Sequence, residues 1–254
     1  MPDLRILVTN DDGIEAPGIE ALEEIAHRIS DDVWTIAPDL NNSGAAHSLT
    51  LRRPLRYRHR GEQRFSVDGT PTDCVLLGLQ HLIPGKPVDL VLSGVNHGSN
   101  IGEDVTYSGT IAAAMEATLF KTRAIAFSQV WRRQEEIDWS MALAQGPDLV
   151  ARLMAMPWPD DVLMNVNFPD CAPERVKGVK VTEQGKRKLG DELVERLDPR
   201  GVPYVWIGLQ REDDAWRDGT DIAAVNEGWI SVTPIHLNMT HYPSLQVVEK
   251  ALRR

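Results

Sequence analysis

The sequence predicts an α/β fold in which a mostly parallel sheet is covered by helices on both faces. Short apolar runs typical of buried strands, such as residues 4–9 and 89–93, alternate with segments whose apolar residues recur at helical spacing. This βαβα alternation favours parallel strands joined by helices on both faces, which gives three layers. The length of 254 residues suits one large domain, predicted to span residues 1–254.

The first part of the chain supplies most elements of the predicted sheet. Strands are predicted at residues 4–9, 33–37, 89–93 and 123–128, and an arginine-rich hairpin at 52–67 turns at Gly61. Helices are predicted at residues 18–29, 72–82, 110–119 and 139–156. Thr70 or Thr72 is the expected cap of the second helix, and Gly146-Pro147 could break the fourth.

The pattern changes after Pro157. Strands are predicted at residues 162–168, 176–182, 204–209 and 229–233, and a terminal helix at 245–252. Residues 183–220 are charged and rich in glycine and proline, so we divide the chain into a core of about 1–182 and a C-terminal arm of about 183–254. The arm is expected to contain a β-hairpin and the terminal helix. The apolar strand around Trp206 either packs on a partner subunit or forms an ordinary edge hairpin.

Composition and charge exclude several classes of protein. A net charge of −10 argues against a long nucleic acid as the main partner, and no run approaches the ~18 apolar residues of a membrane span. The N-terminus lacks the features of a signal peptide, so we expect a cytoplasmic protein. Cys74 and Cys171 are the only cysteines and indicate neither a disulfide framework nor structural zinc.

Four polar loops are expected to follow four strands of the sheet. They contain Asp11-Asp12, residues 41–43, residues 96–100 and the turn at residues 107–110 that enters a predicted helix. Because loops that follow parallel strands gather at one edge of a doubly wound sheet, their side chains should lie close together.

Asp11 and Asp12 predict a metal site. Adjacent carboxylates repel each other unless a cation or a proton lies between them. The aspartate, serine and asparagine oxygens of these loops suit Mg²⁺, Mn²⁺ or Ca²⁺ better than zinc or copper. The alternative is an Asp-Gly turn in which Asp12 is only a local cap.

The third and fourth loops predict an anion site. Gly94, Gly98 and Gly102 allow close approach of backbone N–H groups, and Ser108 and Thr110 lie where a helix begins. Simple N-capping by Ser108 or Thr110 is the alternative. No Gly-x-Ser-x-Gly elbow surrounds Ser108, so a covalent role for this serine is not expected. The histidines His47 and His97 could move protons or be polar surface residues.

Several motifs together closely resemble the SurE (survival protein E) nucleotidase family over residues 4 to about 240. The N-terminal motifs are Asn10-Asp11-Asp12-Gly13, Ala16-Pro17-Gly18, Ala37-Pro38-Asp39, Asn42-Ser43-Gly44 and Ser48-Leu49-Thr50. The later motifs are Gly69-Thr70-Pro71-Thr72-Asp73-Cys74, Ser93-Gly94-Val95-Asn96, Gly98, Asn100-Ile101-Gly102, Tyr107-Ser108-Gly109-Thr110, Gly219-Thr220-Asp221 and Ser231-Val232-Thr233-Pro234.

The resemblance implies a metal-dependent phosphomonoesterase acting on nucleoside 5′- and 3′-monophosphates, and in some members on short polyphosphate. By motif position, one divalent cation per subunit, Mg²⁺ or Mn²⁺, would be bound by Asp11, Asp12, Ser43 and Asn96. Asp11, Asp12 and Asn96 would be the catalytic residues. The phosphate would be bound by Asn100, Ser108, Gly109 and Thr110.

The resemblance also implies a Rossmann-like α/β domain with a C-terminal segment exchanged between the subunits of a homodimer or homotetramer. We expect attack by metal-activated water, with an aspartyl-phosphate intermediate on Asp11 or Asp12 as the alternative mechanism. A non-catalytic nucleotide or metal sensor on the same scaffold is the alternative function.

Overall fold

The computed structural model describes residues 3–131, 137–188, 193–207, 212–213 and 217–253. The strands are β1 Arg5–Thr9, β2 Asp32–Pro38, β3 Tyr57–His59, β4 Arg64–Val67, β5 Leu90–His97, β6 Arg123–Gln129, β7 Val162–Phe168, β8 Val179–Val181, β9 Arg187–Lys188, β10 Leu193–Leu197, β11 Pro203–Ile207, β12 Glu212–Asp213 and β13 Ile230–His236. The α-helices are α1 Pro17–His27, α2 Pro71–Leu77, α3 Gly109–Leu119, α4 Ser140–Ala155, α5 Asp221–Asn226 and α6 Tyr242–Leu252.

Within these residues the main sheet has nine strands in the order β3-β4-β2-β1-β5-β6-β7-β13-β8. The six strands from β4 to β7 are parallel to their neighbours, whereas β3 and β13 pair antiparallel with β4 and β7. The prediction of a mostly parallel sheet in an α/β fold is therefore confirmed.

The sheet is the middle of three layers. Ile6 and Val8 of β1 pack into a core with the apolar residues of α1 and α4, whereas Leu7 packs on the opposite face with α2 and α3. This division follows from the strand geometry, because successive side chains of a strand point to opposite faces. Because β1 pairs parallel with both β2 and β5, the carboxyl ends of these three strands lie side by side at one edge of the sheet.

The possible break in the fourth helix at Gly146-Pro147 is absent, since α4 is continuous. A proline cannot donate to the carbonyl four residues earlier, which here belongs to Leu143. The Arg28 guanidinium donates to that carbonyl oxygen at 2.8 Å instead. A contact from the end of α1 thus replaces the hydrogen bond that the proline removes.

The strand predicted at residues 89–93 is longer than expected and continues as β5 to His97, with an irregular register between Ser93 and Asn96. Gly94 does not end the strand. It lets β5 approach β6 closely, because a Cβ atom at Gly94 would lie 2.2 Å from the carbonyl oxygen of Phe127. Four of the expected loop residues, at positions 94–97, are therefore part of a strand.

Other boundaries differ from the predictions. The helix predicted at 72–82 is α2 followed by a π-helical turn at Gly78–Leu82, and Thr70 caps it by accepting from the Asp73 N–H. The strand predicted at 176–182 shortens to β8, and the hairpin predicted at 52–67 is limited to β3 and β4. Helix α5 was not predicted, and the C-terminal hairpin was predicted without bounds for β10.

The C-terminal region contains the predicted antiparallel hairpin, formed by β10 and β11. Residues 208 and 209, the end of the strand predicted at 204–209, lie outside the described residues. The hairpin is largely exposed, with Trp206 67% and Ile207 71% accessible, and every residue of α6 is exposed or half-buried. None of the helices that the structure describes is both long and apolar enough to cross a membrane.

Candidate active site

The polar loops predicted to converge do meet at the carboxyl edge of the sheet. The Asn42 N–H donates to the Asp11 carbonyl at 2.7 Å, the His97 N–H to Asp12 Oδ2 at 3.1 Å, and Thr110 Oγ1 to Asp11 Oδ1 at 2.5 Å. One detail of the prediction is wrong, because these loops follow three strands and not four. The turn at residues 107–110 follows β5 as well, after the 3-10 helix Gly102–Thr106.

Asp11 lies buried beneath the start of α3. Its Oδ1 accepts a hydrogen bond from the Thr110 hydroxyl. Burial raises the pKa of Asp11 to about 6. The hydrogen bond from Thr110 opposes this rise, whereas the charge of Asp12 adds to it. Gly109 leaves the space that this carboxylate occupies, since a Cβ there would lie 2.7 Å from Asp11 Cβ and 2.9 Å from Oδ2. Only glycine therefore lets α3 begin this close to Asp11.

Asp12 is half-buried and is held by two neighbouring loops. Its Oδ1 accepts from Asn41 Nδ2 at 3.3 Å, and its Oδ2 accepts from the His97 N–H. Burial raises the pKa of Asp12 and the hydrogen bond from His97 opposes the rise. Both adjacent carboxyl groups thus have raised pKa values, mainly because burial disfavours their charged forms.

Ser43 and Asn96 lie on the two segments that flank Asp12, which are the loop after β2 and the end of β5. The Ser43 hydroxyl donates to Asn41 Oδ1 at 2.7 Å, and Asn41 contacts Asp12, so Ser43 is linked to the carboxylate pair through one residue. Asn96 is half-buried at the end of β5, and its Nδ2 donates to the Gly98 carbonyl at 2.9 Å. Asn41 was not among the predicted site residues, although it lies in a loop that the sequence singled out.

The donor chemistry of these residues fits a hard divalent cation. Among the described residues no group of three or more His, Cys, Asp or Glu side chains could hold a metal ion. The predicted set of Asp11, Asp12, Ser43 and Asn96 has two carboxylates, one hydroxyl and one amide. Mg²⁺ commonly binds through one or two carboxylates and keeps positions for water and phosphate. The uncompensated carboxylate pair agrees with such a site.

Three of the four predicted phosphate residues, Ser108, Gly109 and Thr110, lie at the N-terminus of α3. Ser108 is the N-cap, because its Oγ accepts from the Ile111 N–H at 3.1 Å, as the capping alternative predicted. The Thr110 hydroxyl is used by Asp11. The N–H groups of the first turn have no partner within a helix, and the helix dipole favours an anion beside them. The N–H groups of this turn are therefore available as donors, whereas the Thr110 hydroxyl is already used.

Asn100, the fourth predicted phosphate residue, is buried against β6 and β7. Its Nδ2 donates to Ser128 Oγ at 2.8 Å, and its backbone contacts Asn165 and Asn167 of β7. The sequence analysis missed these two asparagines. Their signal is the alternation of asparagine with apolar residues in a strand that is otherwise apolar.

The side chains of His47 and His97 contact residues other than Asp11 and Asp12. His47 Nε2 contacts the buried Glu116 of α3 at 2.8 Å. The His97 ring packs edge-on against Trp131 with 4.8 Å between ring centroids, and it is the His97 backbone that contacts Asp12. The structure thus gives both histidines a part in holding the loops.

Residues of the C-terminal region form hydrogen bonds with the segment that precedes α3. The buried Asp221 carboxylate accepts from the backbone N–H groups of Gly102, Gly185 and Ile222 at 2.8 to 2.9 Å. Gln184 Nε2 donates to the Gly102 carbonyl at 2.8 Å. Residues beyond 182 therefore support the loop that precedes α3.

A cavity of about 360 Å³ opens beside the loop after β2, and Asn41 in its wall donates to Asp12. Its walls include Asn41 and Asn42, together with Arg53, Asp68 and Thr70. The cavity adjoins the loop at residues 41–43, and its walls include both charged and neutral polar side chains.

Known proteins resemble this chain along nearly its whole length. A family model described as "Survival protein SurE" matches residues 6–191. Proteins named 5′-nucleotidase SurE are 54% identical in Paramagnetospirillum magneticum, over 98% of this chain and 95% of the relative, and 50% identical in Rhodospirillum rubrum, over 97% and 95%. The crystal structure of the Sure protein from Aquifex aeolicus superposes with a TM-score of 0.87 at 40% identity, covering 98% of this chain and 100% of that one.

Proposed function

Because the chain belongs to the survival protein SurE family, we propose that it hydrolyses nucleoside 5′- and 3′-monophosphates to a nucleoside and phosphate. One observation carries the proposal. Two adjacent carboxyl groups with raised pKa values lie at one edge of the sheet, and one of them, Asp11, packs directly against the N-terminus of α3. A cation site and an anion site would therefore share this edge. A phosphate ester bound by a cation fits this pairing.

Asp11, Asp12, Ser43 and Asn96 would hold one Mg²⁺ or Mn²⁺ ion. Such a cation, when bound, reduces the repulsion between a phosphate dianion and its attacker and makes water a better nucleophile. Thr110 fixes Asp11 by its 2.5 Å hydrogen bond, and Asn41 and His97 fix Asp12. The carboxylates are thus positioned before any ligand arrives.

Asn100, Ser108, Gly109 and Thr110 would bind the phosphate. The N–H groups of Gly109 and Thr110 lie in the first turn of α3, where they can stabilise charge on the equatorial oxygens in the transition state. Ser108 contributes by keeping this turn in place, because its Oγ accepts from the Ile111 N–H. Catalysis would come mainly from positioning and electrostatics.

Water is the proposed nucleophile. Asp11 is 3% exposed and its Oδ1 accepts from Thr110, which leaves it poorly placed to attack phosphorus. Asp12 is the more accessible carboxylate, so an aspartyl-phosphate on Asp12 is the mechanism to test against. Rapid quenching during turnover of a ³²P-labelled substrate should recover no acid-stable or hydroxylamine-sensitive phosphoenzyme. Recovery of a stoichiometric phosphoenzyme would contradict attack by water.

The cavity beside Asn41 would bind the nucleoside, next to the loop at residues 41–43. Short-chain polyphosphate is a further proposed substrate, since its terminal phosphate presents the same dianionic group. The panel of substrates therefore includes tripolyphosphate.

The division of the chain also enters the proposal. The core of about 1–182 would carry the catalytic edge, and the arm of about 183–254 would pack on a second subunit in a homodimer or homotetramer. The exposed apolar side chains of β11, Val205, Trp206 and Ile207, support this packing. Light scattering should show an oligomer that the double variant Trp206→Ser, Ile207→Ser weakens. The control Leu51→Ser, at an exposed position outside the arm, should leave the mass unchanged, and a monomeric wild type would contradict the proposal.

Phosphate release tests the function directly. The panel contains nucleoside 5′- and 3′-monophosphates and tripolyphosphate, each with Mg²⁺, Mn²⁺ or excess chelator. We expect release from the nucleotides that chelator stops and added metal restores. Absence of release with either metal would contradict the enzymatic function, and equal release in chelator would contradict the metal site.

A further inference from the structure

We propose that Asn165 and Asn167 of β7 are positioning residues that hold Asn100 in the geometry needed to bind phosphate. The inference rests on the proposed function, because Asn100 is there a phosphate ligand. It adds two residues from a strand whose side chains do not touch the carboxylate pair in any described hydrogen bond.

The contacts form a closed network around the Asn100 backbone. The Asn100 N–H donates to Asn167 Oδ1 at 2.8 Å, and the Asn100 carbonyl accepts from Asn165 Nδ2 at 2.8 Å and from Asn167 Nδ2 at 3.2 Å. Asn167 Nδ2 also donates to Asn165 Oδ1 at 3.2 Å. The Asn167 side chain therefore bonds both backbone polar groups of Asn100, which fixes this residue in rotation and in height above the sheet.

The side chain of Asn100 is fixed as well. Its Nδ2 donates to Ser128 Oγ, and Ser128 is the register partner of Asn167 between β6 and β7. An amide nitrogen carries two hydrogens. The bond to Ser128 uses one and sets the direction of the other, which is then available to a phosphate oxygen.

The network occupies a place where apolar residues would be expected. Asn165, Asn167 and Ser128 are fully buried in the centre of the sheet, and their neighbours on β13, Thr233 and Ser231, are buried polar residues too. Buried polar groups cost free energy unless they are hydrogen-bonded, so an apolar layer would serve stability at least as well. A polar layer beneath one loop residue is explained if it positions that residue.

The test uses Asn167→Asp and Ser128→Ala in the full-length protein. Asn167→Asp keeps the shape and the acceptor for the Asn100 N–H but replaces the donor to the Asn100 carbonyl. Ser128→Ala removes one hydroxyl and is the variant with the smaller effect on folding. Thr118→Val is the matched control, because it removes another buried hydroxyl, which donates to the Ala114 carbonyl near the far end of α3.

Two quantities separate positioning from general damage. Inorganic phosphate affinity, measured by calorimetry with Mg²⁺ present, should fall at least about fivefold in both variants, the effect of one lost hydrogen bond of about 1 kcal/mol. The KM for a nucleoside 5′-monophosphate should rise by a similar factor. Mn²⁺ affinity should stay within about twofold of wild type, and Thr118→Val should change none of these values.

Several results would overturn the inference. Folded variants that bind phosphate as wild type does would show that the network does not position Asn100. A parallel loss of Mn²⁺ affinity, or an equal loss in Thr118→Val, would show a structural effect without specific positioning. If wild type releases no phosphate from any nucleotide, the proposed function fails, yet phosphate binding by wild type and variants still decides the positioning role.

Discussion

Replacing Asp11 by asparagine should stabilise the metal-free protein while removing its metal site. The carboxyl group is buried, and its pKa is raised from 3.8 to about 6. At pH 8 ionisation of this group therefore costs the folded state about 3 kcal/mol relative to the unfolded chain, since each pKa unit corresponds to about 1.4 kcal/mol. The amide of the Asp11→Asn variant would keep an Oδ1 acceptor for Thr110 and carry no charge.

The pH dependence has a definite sign. A folded-state pKa above the unfolded value means that the folded state binds the proton more tightly. The penalty is absent below about pH 4, grows as pH rises through 6 and is constant above that. Wild type should thus lose stability relative to Asp11→Asn between pH 4 and pH 7, with roughly half of the difference present at pH 5.

Urea unfolding in excess chelator at pH 4, 5 and 8 measures this difference. Asp148→Asn is the control, because it removes one negative charge from the exposed face of α4, where Asp148 pairs with Arg152 at 3.7 Å. When Mn²⁺ replaces the chelator, at about 100 times its dissociation constant, the free energy of unfolding of wild type should rise by about 2.7 kcal/mol. That of Asp11→Asn should not change. A variant no more stable than wild type at pH 8, or a difference that does not change with pH, would refute the reasoning.

Three further substitutions test neighbouring parts of the site. Gly109→Ala places a Cβ 2.7 Å from Asp11 Cβ, so Mn²⁺ affinity measured by calorimetry should fall about tenfold; unchanged affinity would contradict the packing. Ser108→Ala removes the acceptor of the Ile111 N–H and should lower the free energy of unfolding in urea by about 1 kcal/mol, while complete loss of phosphate release with metal binding intact would reopen a covalent role. Asp221→Ala leaves three backbone N–H groups without their carboxylate and should cost about 3 kcal/mol or more in the same titration; a stability equal to wild type would show that solvent replaces these bonds.

Local patterns were sufficient to predict the sheet edge at which the two aspartates lie. The apolar run before Asp11 and the helical spacing after Pro17 place the two aspartates between a strand and a helix. The same reasoning located the start of α3 within one residue of its observed position, because Ser108 is a favourable N-cap. Both features depend on residues close together in sequence.

Long-range contacts explain what the sequence analysis missed. The helix α4 continues through Pro147 because Arg28, 115 residues before Leu143, bonds the carbonyl that the proline leaves. β5 continues through Gly94 because its lack of a side chain allows close contact with β6. Neither partner is visible from spacing, so glycine and proline were interpreted as breaks.

The segment around Asn100 and Gly102 also depends on residues that are distant in the sequence. Asn100 was predicted as a phosphate ligand from its loop, whereas the residues that hold it, Asn165 and Asn167, lie 65 and 67 residues further along the chain. Asp221 reaches Gly102 across 119 residues. The support of a site built on a sheet edge comes from other strands, and only the fold brings them together.

The most direct test of metal-dependent hydrolysis at the Asp11-Asp12 site is a Mn²⁺ titration of wild type and Asp12→Asn, in which bound metal and phosphate release from a nucleoside 5′-monophosphate are measured on the same samples. In wild type we expect release to rise in proportion to one bound Mn²⁺ per subunit, and we expect the folded Asp12→Asn variant to bind Mn²⁺ weakly and release little phosphate. Release by wild type without bound metal, or release by the variant at the wild-type rate, would contradict the proposed site.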